Sequence, residues 1–284
     1  MFTKPNLYLC SALSLASALM LPHVVMAQDA AEQETLKQET HWTLSVGAAA
    51  LVTPAYQGSD NYTLMTVPDL RLKYQDRFFA SVNQGVGYNV VTRASGEDGW
   101  KIGPVAKLDF GRDEDGQGPF IVAGDTDDLQ GMGEINEAVE LGGFVDYQWQ
   151  FLQTRLEVRQ AIGGHDGLIA DFGVNYLSRI GDDGYFSVGP RLTWASKDYN
   201  QTYFGVDATQ SANTGLAQYN AGSGITSYGL GAFVYKPLND KVSFTTFASY
   251  DRLGDEAADS SFTKVRGTAN QFTVGMGVSY AFDF

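Results

Sequence analysis

The strongest constraint in this chain is a stretch of residues that changes character at every step. Between Thr273 and Phe284, Val274, Met276, Val278, Tyr280, Phe282 and Phe284 are apolar, and the residues between them are small or polar. A period of two belongs to an extended strand, whose successive side chains point to opposite faces. This segment therefore has one greasy face and one wet face. The pattern recurs upstream. Leu141, Val145, Tyr147, Trp149 and Phe151 alternate with Glu140, Asp146, Gln148 and Gln150. Leu152, Leu156, Val158 and Ile162 alternate with Gln153, Arg155, Glu157 and Arg159. Segments 100–110, 168–180 and 186–194 repeat it, and weaker versions cover 42–52, 62–74, 77–91, 225–237 and 240–253. Composition agrees, because 32 Gly, 15 Tyr and 17 Phe suit strands and turns better than helices. The expected fold is all-β.

A soluble sandwich would alternate too, but it turns its charged face to water. A transmembrane barrel turns its apolar face to lipid and lines its lumen with the polar one. Segment length favours the barrel, since the runs are about 10–14 residues, near the ~9–11 that cross a bilayer with tilt. Aromatics also gather near segment ends (Trp42, Tyr74, Trp100, Tyr147, Trp149, Tyr176, Tyr250, Tyr280), as interfacial girdles require. Tyr280, Phe282 and Phe284 are in register with the apolar face and resemble the terminal assembly signal of bacterial outer-membrane barrels. Hydrocarbon offers no water to backbone groups, so only a closed ring satisfies them. Eleven candidate strands can be counted, and such rings normally hold an even number. A transmembrane antiparallel β-barrel of 12 strands is expected, with ten as the fallback. Pro119–Gly124 and Tyr203–Val206 are the places to seek a missing strand. Short joints at 74–77, 149–152, 181–184 and 237–240 are expected to face the periplasm, and long ones at 111–137, 197–224 and 254–268 the outside.

The N-terminal region reads as an address. Lys4 precedes a compact apolar run from Leu7 to Pro22, and Val25-Met26-Ala27 supplies small residues for a peptidase. Residues 1–27 are read as a signal peptide cleaved before Gln28, because the run is too short for an anchor. Cys10 sits near the start of the run, not at the cleavage point that lipid attachment needs, and no other cysteine exists to form a disulfide. Residues 28–41 are polar and acidic, and are read as a flexible leader. The barrel then occupies 42–284, in the outer membrane of a Gram-negative bacterium, with its lipid as the first partner.

Chemistry is sparse. A net charge of −14 repels phosphate, which argues against a nucleic-acid partner. The zinc-protease, nucleophile-elbow and phosphate-loop motifs are all missing, and no cofactor is expected. His165 and Asp166, in the glycine-rich stretch 163–167, are the remote candidates for a hydrolase at the rim, though turn residues are the simpler reading. Acids in the loop 113–128 could take a divalent cation, yet they lack an EF-hand register and read as a solvated loop. The inward faces say more. By alternation they carry Arg71, Lys73, Lys101, Lys107, Arg155, Arg159, Arg179 and Arg191 against Asp69, Asp109, Glu140, Asp146, Glu157 and Asp171. Such balance fits a salt-bridged, plugged lumen or a narrow polar channel for ions or small solutes, whereas a charge-selective pore would show one sign.

With the strands placed, the chain from Trp42 onward resembles the MipA/OmpV family of outer-membrane proteins. The resemblance is carried by Pro54-Ala55-Tyr56-Gln57-Gly58-Ser59, Arg77-Phe78-Phe79, Gly85-Val86-Gly87-Tyr88, Gly111-Arg112, Tyr203-Phe204-Gly205-Val206, the stretch Leu253 to Ser260, and Tyr280-Ala281-Phe282. It implies a non-enzymatic scaffold: the namesake member bridges a lytic transglycosylase and a bifunctional murein synthase. The acidic insert 113–130 is longer than the family pattern.

Overall fold

The computed structural model describes residues 42–284 apart from 95–96, 115–119, 125 and 182. The signal peptide and acidic leader read from the sequence lie outside the described residues. The described residues form thirteen strands: β1 (Trp42–Pro54), β2 (Tyr62–Tyr74), β3 (Phe78–Ser81), β4 (Gly85–Tyr88), β5 (Gly99–Asp109), β6 (Ile121–Ala123), β7 (Ala138–Trp149), β8 (Leu152–Ile162), β9 (Leu168–Ile180), β10 (Gly184–Ala195), β11 (Gly224–Pro237), β12 (Val242–Leu253) and β13 (Asn270–Asp283). All but β6 follow one another around an antiparallel ring, which β13 closes onto β1. The closing ladder runs from Thr43↔Asp283 to Val52↔Val274, and Trp42 and Phe284 exchange backbone hydrogen bonds of 2.8 and 3.0 Å beyond it. The ring has twelve strands, as expected.

The twelfth strand arises where alternation reads as one long segment, 77–91. There the chain reverses between Ser81 and Gly85, where Ser81 Oγ accepts the Gln84 N–H at 2.9 Å and Gly85 takes φ +74°. The two places named for a missing strand play other parts. The Pro119–Gly124 segment contributes β6, which lies on the edge of β2 at Leu64↔Ala123 and Met65↔Ile121 and never joins the ring. Tyr203 and Phe204 end a helix, and Val206 makes only an isolated bridge to Tyr219.

Alternation sorts the side chains as a lipid environment requires. Val274, Met276, Val278, Tyr280 and Phe282 project outward and exposed, while Thr273, Gly275, Gly277 and Ser279 project inward and are buried. A continuous exposed apolar belt would be an aggregation hazard in water, and in a closed barrel it is the lipid face. Aromatic pairs mark the short-turn end, among them Trp42–Tyr74 at 4.8 Å and Trp100–Tyr147 at 4.3 Å. Tyr250–Phe272, at 4.8 Å, marks the long-loop end. Inside, glycine makes room for bulk: a Cβ on Gly275 would stand 2.4 Å from the Phe247 ring. Among the described residues no helix is long and apolar enough to cross a membrane, so the crossing is made by strands.

The long loops build a lid at the outer end. They carry α1 (Lys197–Phe204), α2 (Ala208–Thr214), α3 (Asp255–Ala258) and α4 (Ser261–Arg266). Two apolar clusters hold this lid together. Tyr56, Leu129, Met132, Val206, Leu216 and Phe262 form one, while Ile169, Ala195, Tyr199, Tyr203, Phe204, Leu253 and Ala257 form the other. Burial on this scale contributes roughly 1.5–3 kcal/mol for each large side chain, so the lid is a packed element and not a fringe of loops.

Candidate functional site

Strand register sets the charges of the outer half against one another. Lys107 on β5 stands opposite Glu140 on β7, and Glu157 on β8 stands opposite Asp171 on β9. Two carboxylates facing each other across a ladder repel, so that pair needs a cation. Arg159 supplies it. Its Nη1 lies 2.5 Å from Glu157 and 2.7 Å from Asp171, while its Nε donates to Glu140 at 2.6 Å. Lys107 and Arg155 reach Glu157 at 2.5 and 2.6 Å, and Thr193 donates to Asp171 at 2.7 Å. Three cations thus meet three carboxylates in one buried network beneath the lid.

A second pair crosses a whole strand. Arg191 on β10 and Asp251 on β12 both stand opposite Gly229 of the intervening β11. A Cβ on Gly229 would lie 2.5 Å from Asp251 Oδ1, so only glycine leaves room for Arg191 Nε to donate to that oxygen at 2.7 Å. At the inner end Arg93 folds back from the β4–β5 connection onto Asp146, which also accepts from Gln153 Nε2 at 2.8 Å. A cavity of about 230 Å³ remains between these groups, lined by charged side chains together with Phe79, Phe233 and the lid tyrosines.

His165 closes the network from above. It is buried, its ring lies edge-on to Tyr199 at 4.9 Å, and its Nε2 is 3.5 Å from both Asp109 and Glu140. Asp109 also accepts the Tyr203 hydroxyl at 2.9 Å and the Gly111 N–H at 2.8 Å. Two carboxylates and an imidazole invite comparison with a metal centre, but the other ring nitrogen argues against it. Nδ1 accepts the Gly167 N–H at 3.1 Å, which places the proton of the neutral ring on Nε2. In both the neutral and the charged ring, Nε2 then presents hydrogen and not a lone pair to the carboxylates. The cluster is built to hold a proton.

Above it lies Arg112, whose Nη1 donates to the Tyr203 carbonyl at 2.9 Å. Its guanidinium carbon sits 5.5 Å from the centre of the Phe262 ring, and Phe262 in turn stacks on Tyr56 at 5.1 Å. Ser260 Oγ donates to the Phe204 carbonyl at 2.6 Å. The segments around Tyr56, Gly111, Tyr203 and Ser260, far apart in sequence, converge here on one lid. Gly111 is needed for that approach: it takes φ +72°, and a Cβ there would stand 1.9 Å from the Ile135 carbonyl oxygen.

The family model described as "MltA-interacting protein MipA" matches residues 46–282. The chain belongs to the MipA family. Outer membrane protein OmpV of Vibrio cholerae is 38% identical over 112 residues, which cover 39% of this chain and 41% of that protein. The MltA-interacting protein of Escherichia coli is 29% identical over 136 residues, covering 48% of this chain and 52% of its own length. The aligned stretches thus span about half or less of these relatives. Among solved structures, an outer-membrane channel of Pseudomonas putida F1 resembles the chain with a TM-score of 0.44 at 12% identity, covering 88% of this chain and 98% of that one. This MipA-family member is an outer-membrane β-barrel protein.

Within this MipA-family barrel, the charges read as inward meet partners. Arg71 pairs with Asp69 at 3.0 Å, which also accepts from Ser279 at 2.5 Å, and Lys101 lies 3.7 Å from Asp76. Lys73 is half-buried near the inner end, and Arg179 is exposed there, 5.9 Å from the Tyr185 ring. Tyr280 and Phe282 pack together on the lipid face at 4.6 Å, and Phe284 is exposed beyond them. Alternation does not single out Arg93, Asp251 or Asp76: the first and last lie in connections, and Asp251 sits in a weakly patterned strand. One pairing needs correction. His165 does not work with Asp166, whose carboxylate accepts the Gly163 N–H at 2.8 Å within the turn. In the acidic loop, Asp128 accepts from Asn61 and Thr126, both at 2.7 Å, and Glu114 accepts from Gly133 at 2.9 Å. These carboxylates serve the fold of the loop; Asp115 and Asp125 lie outside the described residues.

The charge state of His165 is measurable. Burial pulls its pKa down, but the hydrogen-bonding and charge of Asp109 and Glu140 outweigh it and raise the pKa from 6.5 to about 9. The second proton must enter at Nδ1 and displace the Gly167 N–H, which opposes protonation together with burial. The raised value means that this contribution to stability is complete below about pH 6.5 and is lost as pH rises through about 9. NMR of ring-labelled His165 should show an imidazolium at pH 7. A neutral ring there would mean that the Gly167 hydrogen bond outweighs both carboxylates.

Proposed function

We propose that this protein is a non-enzymatic scaffold of the outer membrane that holds peptidoglycan-remodelling enzymes, a lytic transglycosylase first, with a murein synthase beside it. The observation that carries the reading is the MipA-family match over residues 46–282, whose description names an interaction with MltA. The bonded interior and packed lid support it, because a barrel filled by buried ion pairs is suited to presenting a surface. The docking surface in this reading is the short-turn rim, where Leu238 is exposed outside the strands. A second reading, a passage for small solutes or ions, is favoured by the cavity of about 230 Å³ among charged side chains.

One preparation tests both. Tagged barrel is captured from crosslinked Gram-negative membranes, and the same protein, shown to be folded by its heat-modifiable gel mobility, is placed in a planar bilayer. The scaffold reading expects a lytic transglycosylase among the captured proteins and a silent bilayer. Repeated absence of the enzyme in gentle detergent, together with steady conductance, would replace it with the channel.

A further inference from the structure

The lid holds an arginine whose donors are only partly used. Arg112 is 4% exposed and lines the outer end of the cavity. Nη1 is spent on the Tyr203 carbonyl, whereas Nε and Nη2 are shielded from solvent and make no hydrogen bond among the described residues. These two nitrogens form one edge of the guanidinium, with parallel N–H bonds spaced to match the two oxygens of a carboxylate or phosphate. Among the described residues, aromatic rings flank the group, with Tyr203 and Phe262 beside the guanidinium. Asp109, close in sequence, is already engaged by Tyr203, Gly111 and His165. Burial holds the Arg112 pKa down at about 10, with Tyr203, Tyr56 and Tyr199 the groups that oppose the fall, so the side chain remains a cation at neutral pH. A buried cation with a free donor edge is costly unless an anion completes it.

We propose that the Nε/Nη2 edge of Arg112 binds an oxyanion, the carboxylate or phosphate group of a small solute that reaches the cavity beneath the lid. The site is separate from the short-turn rim used by a scaffold, so it stands whether or not that reading holds. The dehydrated donor edge supplies the affinity, and the rings of Phe262 and Tyr203 beside it favour a solute with a flat or apolar body next to its anionic group.

Refolded barrel in detergent is titrated calorimetrically with sodium benzoate, sodium phosphate and neutral benzamide at fixed ionic strength. Benzoate or phosphate should bind and benzamide should not; benzoate alone identifies a carboxylate site, and phosphate alone a phosphate site. Arg112→Met should weaken the bound anion at least about tenfold, and Arg112→Lys, which keeps the charge without the parallel edge, should lose most of the same affinity. Heat-modifiable mobility confirms that each variant is folded, and the lysine variant serves if the methionine variant is not. Binding of neither anion, equal binding of benzamide, or wild-type affinity in Arg112→Lys would overturn the site.

Discussion

Arg159→Met is expected to lower the stability of the barrel by about 3–5 kcal/mol, as breaking a buried ion pair from one side does. Among the described residues it is the one cation that touches Glu140, Glu157 and Asp171 together, at 2.6, 2.5 and 2.7 Å. Lys107 and Arg155 both lean on Glu157, so Glu140 and Asp171 lose their arginine in the variant. Asp171 would keep Thr193 and still face Glu157 directly across the ladder. Urea unfolding in phospholipid vesicles measures the loss. Adding Asp171→Asn should recover part of it, because a neutral amide removes one of the stranded charges. A loss below about 1 kcal/mol would mean that water in the lumen solvates the freed carboxylates, which contradicts a plugged interior.

Met276→Arg tests the opposite face. Met276 is 58% exposed, stands between Ala50 and Thr246 in the ladders of β13, and lies midway between the outer aromatic Phe272 and the inner aromatic Tyr280. That places it near the centre of the apolar belt, where a charge on the lipid face of a barrel costs about 2–4 kcal/mol. Tyr280→Arg, near the girdle, should cost only about 0–1 kcal/mol because the side chain can reach the interface. Vesicle unfolding of the two variants gives the contrast. Equal costs at both depths would show that β13 does not cross lipid at the level inferred.

What the sequence disclosed and what it hid follow from the range of each signal. Period two reports which face a side chain takes, so alternation alone places Lys107, Glu157, Arg159 and Asp171 in the lumen. It does not report which residues meet, because partners are fixed by register between strands. Asp166 is next to His165 in the chain, yet the carboxylates that face the imidazole come from β5 and β7. Nor does it report reversals made without a break in pattern: Phe79 and Gly87 both point inward, and the hairpin between them reads as one strand. The lid was least legible. Its helices are short and polar, and Tyr199 and Tyr203 are buried by contact with distant segments, not by any local periodicity.

The pairing of β1 with β13 joins residues such as Thr43 and Asp283, 240 positions apart. Closure entropy rises only with the logarithm of the span, so this costs roughly 3 kcal/mol more than closing a ten-residue hairpin. The kinetic consequence is larger. Until β13 arrives, β1 and β12 each present a naked row of backbone donors and acceptors beside an apolar belt, a state that neither water nor lipid tolerates. A chain with this topology has no stable half-built form in the membrane, so insertion and closure must proceed together, on edges that remain protected until the final strand docks.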